Sequence, residues 1–238
     1  SGVAEGRRAL SAASRLTFDT SRIDPARDTV LLVTHQASRT GAPIHAAEVG
    51  HRLRTDLGLN VVSLLLMGGD IVEVFEACSD AVVGPLTYDE WHPVEAKFLI
   101  EKLVRVYDIA YAVVNRIDSR LVLEPLSLAH VPNVALVHEF PSYFPPRGSV
   151  GKSLEWATRI VFPAHIVANA VAEEYPNLAN WPYAVLPQGA LAPPKVRDAH
   201  ADTSDEEARL QAAIGGGDGE KPFVVLGIGT VFIRKGVD

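Results

Sequence analysis

The sequence predicts an α/β fold, a parallel sheet with helices on both faces. Three observations carry that expectation. Short, continuous, β-branched apolar runs recur along the chain, as in Thr-Val-Leu-Leu-Val-Thr at Thr29–Thr34. A run apolar on both faces suits a strand buried between two layers. Amphipathic segments alternate with these runs and the connections are short, which favours parallel strands joined by crossover helices.

Residues 1–28 are rich in Ala, Arg and Ser and read as a weakly helical N-terminal extension. After the strand Thr29–Thr34 comes a turn at 38–43, where Pro43 suits a first helical position. Ala46, Val49, Leu53 and Leu57 then repeat at helical spacing, and Gly58 is placed to end the helix. The unit recurs: a strand at 61–66, a turn at Gly68-Gly69-Asp70, a short helix at 71–77 and a brief strand at Ala81–Val83. Next come an amphipathic helix at 91–106, a strand at 109–114, a Leu-rich helix at 119–129 and a strand at 134–137. A helix at 149–157, a strand at 160–162, a helix at 166–175 and a strand at 183–186 complete the sheet. Residues 191–220 change character, with Pro193-Pro194, an acidic run and Gly215-Gly216-Gly217, and read as an interdomain linker holding one helix at 205–214. Residues 221–238 read as the first strand, at 223–226, and loop of a second domain that is truncated at Asp238.

A chain of 238 residues, 47% apolar and 21% charged, is an ordinary globular composition with room for one large or two modest domains. No apolar run approaches the ~20 residues of a membrane-spanning helix. The single cysteine, Cys78, forbids an internal disulfide, suits a reducing cytoplasm and reads as core filling. A net charge of -7 argues against nucleic acid as a partner. The first 58 residues carry more Arg than Asp and Glu, so a weak contact with an anionic membrane surface is a further expectation. Composition leaves the oligomeric state open.

Ligands of open α/β sheets gather beyond the carboxyl ends of the strands. The residues there are 35–41 after the first strand, Asn115-Arg116 after the fourth and His138-Glu139-Phe140 after the fifth. Gly41 precedes a helix whose free N–H groups can receive an anion. His138 and Glu139 form a polar pair at the mouth of a buried strand, with His35 a weaker parallel. Gly148-Ser149-Val150-Gly151-Lys152-Ser153 has Pro146 where a phosphate loop needs glycine. The eight histidines show no metal-ligand spacing, so no metal and no cofactor is expected. A nicotinamide dehydrogenase would need Gly-x-Gly-x-x-Gly after the first strand, and residues 38–43 lack it.

Together these segments resemble something specific. His35-Gln36-Ala37-Ser38-Arg39-Thr40-Gly41-Ala42-Pro43 resembles the first-strand loop of retaining glycosyltransferases of the GT-B fold, family 4 (group 1), and so does Leu64-Leu65-Leu66-Met67-Gly68-Gly69-Asp70 leading into Phe75-Glu76. Val137-His138-Glu139 matches their late-strand motif, and Leu186-Pro187-Gln188-Gly189 resembles the Pro-Asn-Gly segment before their linker. Gly227-Ile228-Gly229-Thr230 with Arg234-Lys235-Gly236-Val237-Asp238 resembles the opening of their donor domain.

The resemblance implies two Rossmann-like domains, with residues 29–190 as the acceptor-side domain. It implies transfer of a sugar from a UDP- or GDP-linked donor to a glycan or glycolipid acceptor, with retention of configuration and without a metal. His138 would contact the transferred sugar, and Gly41, Arg234 and Lys235 the donor phosphates. His35, Thr40, Asn115 and Glu139 would line the acceptor or sugar site. There are departures: Gln188 replaces the usual Asn, and Gly229-Thr230 stands where many members carry Arg. The family's Glu-x7-Glu motif would lie beyond Asp238, so the chain alone is expected to be inactive. The alternative is a non-catalytic glycan- or protein-binding module on the same scaffold.

Overall fold

The computed structural model describes residues 15–87, 91–144, 146 and 148–189, together with 205, 208, 209 and 212. The chain divides into two compact units, Ser1–Pro194 and Lys195–Asp238. In the second, Asp205, Ala208, Arg209 and Ala212 are helical and exposed. The rest of the proposed linker, the strand at 223–226, Arg234 and Lys235 lie outside the described residues.

The first unit is an α/β Rossmann-like fold. Its elements are β1 (Thr29–Thr34), α1 (Gly41–Thr55), β2 (Asn60–Leu65), α2 (Val72–Cys78), β3 (Ala81–Val83), α3 (Pro93–Tyr107) and β4 (Ile109–Asn115). There follow α4 (Leu123–Leu128), β5 (Asn133–Leu136), α5 (Ser149–Leu154), β6 (Arg159–Phe162), α6 (His165–Glu174) and β7 (Tyr183–Val185). The seven strands are all parallel and lie in the order β3-β2-β1-β4-β5-β6-β7. β1 and β2 are buried at every residue, the condition their unbroken apolar runs require.

Each face of the sheet builds its own core. Leu31, Val33, Val62 and Leu64 meet Leu99, Ile100 and Leu103 of α3 on one side. Leu32, Val61 and Leu65 meet Ala46 and Ala47 of α1 and Phe75 of α2 on the other. The alternation of successive β1 residues between the two cores follows from the two-residue period of a strand.

Two expectations need correction. The buried face of α1 is Pro43, Ala46, Ala47 and Gly50, whereas Leu57 lies past the helix end and is 66% exposed. The reason is close approach: a Cβ on Gly50 would stand 2.9 Å from Leu32 Cδ2, so Leu32 would have to shift to admit even a methyl there. The segment expected as one helix at 119–129 is a 3-10 helix (Ile117–Val122) followed by α4. Pro125 lacks an N–H and is tolerated only within a first helical turn, so α4 starts just before it.

Candidate functional site at the strand-order reversal

All strands run the same way, so the segments after β1, β4 and β5 converge at one end of the sheet. β1 and β4 are neighbours, and the strand order reverses between them, which in open α/β sheets opens a crevice.

The loop after β1 is held by its own side chains and by the loop after β2. Gln36 Nε2 donates to Ser38 Oγ at 2.6 Å, and Ser38 Oγ lies 3.0 Å from Thr40 Oγ1. The Arg39 N–H donates to Asp70 Oδ1 at 2.9 Å, and the Arg39 guanidinium lies 3.5 Å from Asp70 Oδ2. Gly69 must be glycine, because a Cβ there would stand 2.2 Å from the Ala37 carbonyl oxygen. α1 then opens at Gly41 with no side-chain cap from Thr40 and no acidic residue in its first turn. Its orphan N–H groups and the positive end of its dipole are therefore available to an anion. Nothing lies within 4 Å of where a Gly41 Cβ would be.

Asn115, the buried last residue of β4, donates from Nδ2 to the Ala42 carbonyl at 3.0 Å. Its Oδ1 lies 2.7 Å from His138 Nε2. A carboxamide oxygen only accepts, so His138 carries its proton on Nε2. Its Nδ1 is then an acceptor, and Gln188 Nε2 donates to it. The His45 ring meets the His138 ring edge to face, with centroids 5.5 Å apart.

Arg116 organises the neighbouring half of the site. Its Nη1 lies 2.7 Å from His35 Nε2, and its Nε lies 2.5 Å from Glu139 Oε1 and 3.0 Å from Asp118 Oδ2. A guanidinium only donates, so His35 accepts at Nε2 and carries its proton on Nδ1. Arg116 does this from φ 73 and ψ 148, a conformation that costs a non-glycine residue on the order of 1–3 kcal/mol.

Burial first, then the Arg116 and His138 charges, hold the His35 pKa down at about 3. Burial, then His45 and Arg116, hold His138 down at about 4. Burial alone lowers His45. At neutral pH His35 and His138 are uncharged hydrogen-bonding groups, and His45 is held toward its uncharged form.

The structure thus brings His35, Asn115, His138 and Glu139 together, with Thr40 and Gly41 on the exposed rim of the same sheet end. His35 and Glu139 are engaged by Arg116. Sequence reasoning noted Arg116 beside Asn115 without assigning it to the site, and it overlooked His45. Among the described residues, no group of three or more His, Cys, Asp or Glu is placed to hold a metal ion.

No protein-family profile and no curated protein sequence matches the chain. Solved structures do. Alr3699/HepE of Anabaena, in complex with UDP-glucose, superposes at TM-score 0.50 and 10% identity, over 78% of this chain and 50% of that one. The likeness is one of fold, an α/β Rossmann-like architecture shared with part of HepE. The chain spans half the length of HepE. A 2,3-dimethylmalate lyase of the PEP mutase/isocitrate lyase superfamily aligns at TM-score 0.27 and 10% identity, over 89% of this chain and 98% of its own, a likeness too slight to bear on the fold. None of the described helices is long and apolar enough to cross a membrane.

Proposed function

We propose that the chain is the acceptor-side part of a nucleotide-sugar-dependent glycosyltransferase of the GT-B, family 4 type, acting with retention of configuration. The observation that carries the reading is the meeting of an uncapped α1 N-terminus with the neutral His138–Asn115 pair at the strand-order reversal. The N–H groups at Gly41 suit a donor phosphate, and a sugar hydroxyl that displaces Gln188 Nε2 can donate to the Nδ1 lone pair of His138. Arg234 and Lys235 are proposed to counter the charge that grows on the departing diphosphate.

A front-face course needs no protein nucleophile, and the Glu139 carboxylate is engaged by Arg116. The likeness to a fold solved with UDP-glucose makes UDP-glucose the first donor to try. The acceptor is proposed to be a glycan or glycolipid.

The test is calorimetric titration of UDP-glucose and a GDP-linked sugar into the protein extended through its full reading frame, with His138→Ala and Lys235→Ala in parallel. Saturable binding that weakens in both variants supports the reading. No binding by the folded protein overturns it and leaves a glycan- or protein-binding module.

A further inference from the structure

β4 and β5 stay in register past their last paired residues. Asn115 lies opposite Leu136, and the Arg116 N–H donates to the Leu136 carbonyl at 2.9 Å. Side chains then continue the pairing. Asn115 holds His138 and Arg116 holds Glu139, so two consecutive residues at the end of β4 grip two consecutive residues after β5. Through His35, the same guanidinium reaches the end of β1.

We propose that Arg116 is a positioning residue for sugar recognition: by clamping Glu139 and His35, it keeps the adjacent Asn115–His138 pair aligned so that His138 Nδ1 stays an acceptor, taken by Gln188 in the free protein and by a sugar hydroxyl in the complex. The inference rests on the nucleotide-sugar reading above. The left-handed backbone at Arg116 supports it, since glycine would hold φ 73 without strain and arginine does so only under fixed contacts.

The charges around His138 support it as well. Arg116 pairs with the Asp118 and Glu139 carboxylates and with the His35 ring, while His45 packs against His138. After burial and His45, the Arg116 cation opposes a charge on His138, so its loss eases that ring toward imidazolium. A protonated His138 has no Nδ1 lone pair to offer a hydroxyl.

The test reads the imidazole nitrogens directly, by long-range nitrogen–proton correlation spectra of the ligand-free protein between about pH 5 and 8. UDP-glucose is titrated in parallel into the protein extended through its full reading frame. Arg116→Gly removes the clamp while easing the backbone, so the fold should survive. Arg116→Lys keeps the charge without the fork, and Glu139→Gln removes one clamped carboxylate.

The wild type should show the proton on Nε2 of His138 and on Nδ1 of His35, with both rings neutral down to about pH 5. In Arg116→Gly, the His138 pKa should rise while burial still holds it below the ordinary histidine value, and UDP-glucose affinity should fall roughly tenfold or more. Arg116→Lys should restore the neutral ring but only part of the affinity. Glu139→Gln should leave the ring neutral and weaken binding less than Arg116→Gly.

If His138 keeps its proton position and its titration in a folded Arg116→Gly protein, the proposal is overturned. It is also overturned if the ring changes while UDP-glucose affinity does not. Absence of UDP-glucose binding by the wild type counts against the nucleotide-sugar reading, and the ligand-free spectra then judge the clamp by themselves.

Discussion

His138 donates its Nε2 proton to Asn115 Oδ1 across 2.7 Å, and Asn115 in turn donates to the Ala42 carbonyl at 3.0 Å. One side chain of β4 thereby joins the end of β5 to the first turn of α1. A carboxamide accepts at its oxygen and donates from its nitrogen, which is what this link requires.

Asn115→Leu should therefore lower unfolding free energy by about 1–3 kcal/mol, since it leaves the His138 N–H unpartnered in a buried setting. Asn115→Asp should instead keep His138 protonated to higher pH, because a carboxylate would stand against Nε2. Urea denaturation and a histidine titration check the two outcomes. A wild-type urea midpoint for Asn115→Leu would contradict the first.

The fold should lose stability on mild acidification. His35 and His138 sit at about 3 and about 4 in the folded chain, against about 6.5 when unfolded. Between these values the unfolded chain binds more protons, so stability is fully present above about pH 6.5 and falls as pH drops toward 4. Each histidine adds at most about 1.4 kcal/mol per pH unit in that window. Urea midpoints at about pH 7.5, 6 and 5 should decline, and the decline should be shallower in His138→Gln. Equal slopes for the two proteins would contradict the burial assigned to His138.

Gly41 and Gly69 should respond oppositely to alanine. The methyl of Gly41→Ala enters open space, so stability should hold or rise by up to ~1 kcal/mol while nucleotide-sugar affinity drops. In Gly69→Ala the methyl meets backbone at 2.2 Å from Ala37 O and 2.6 Å from Ser38 N, and stability should fall by about 1–3 kcal/mol. Thermal unfolding and UDP-glucose titration of both variants separate a binding role from a packing role.

Asp80 should prove a structural anchor of β2. Its side chain is 9% exposed, with Oδ1 taking the Arg54 guanidinium at 2.9 Å and Oδ2 the Val61 N–H at 2.9 Å. Asp80→Ala strands both donors and should cost about 2–3 kcal/mol. Asp80→Asn retains one acceptor and should cost less. Denaturant midpoints rank the two.

Thr29–Thr34 and Ala81–Val83 were legible to the residue, and the other five strands of the sheet within a residue or so. Strands enclosed by helices on both sides must be apolar throughout, and that leaves an unbroken run in the sequence. The candidate site was legible as polar residues at strand ends. Its internal pairing was not, because which strand ends meet depends on strand order. His45 escaped notice since it sits within α1, away from any strand end, and contacts His138 only through the fold.

The sequence by itself determined the layered α/β class, the element order and the polar residues that end β1, β4 and β5, because periodicity and turn chemistry are local properties. Tertiary structure decided the rest. The face of α1 that buries Ala46, Ala47 and Gly50 is set by how near Leu32 stands, which no helical repeat reveals. The pairing of Asn115 with His138 and of Arg116 with Glu139 exists because β4 and β5 are neighbours in register. Hydrogen bonds act over about 3 Å, so partners 23 residues apart in the chain are chosen by packing.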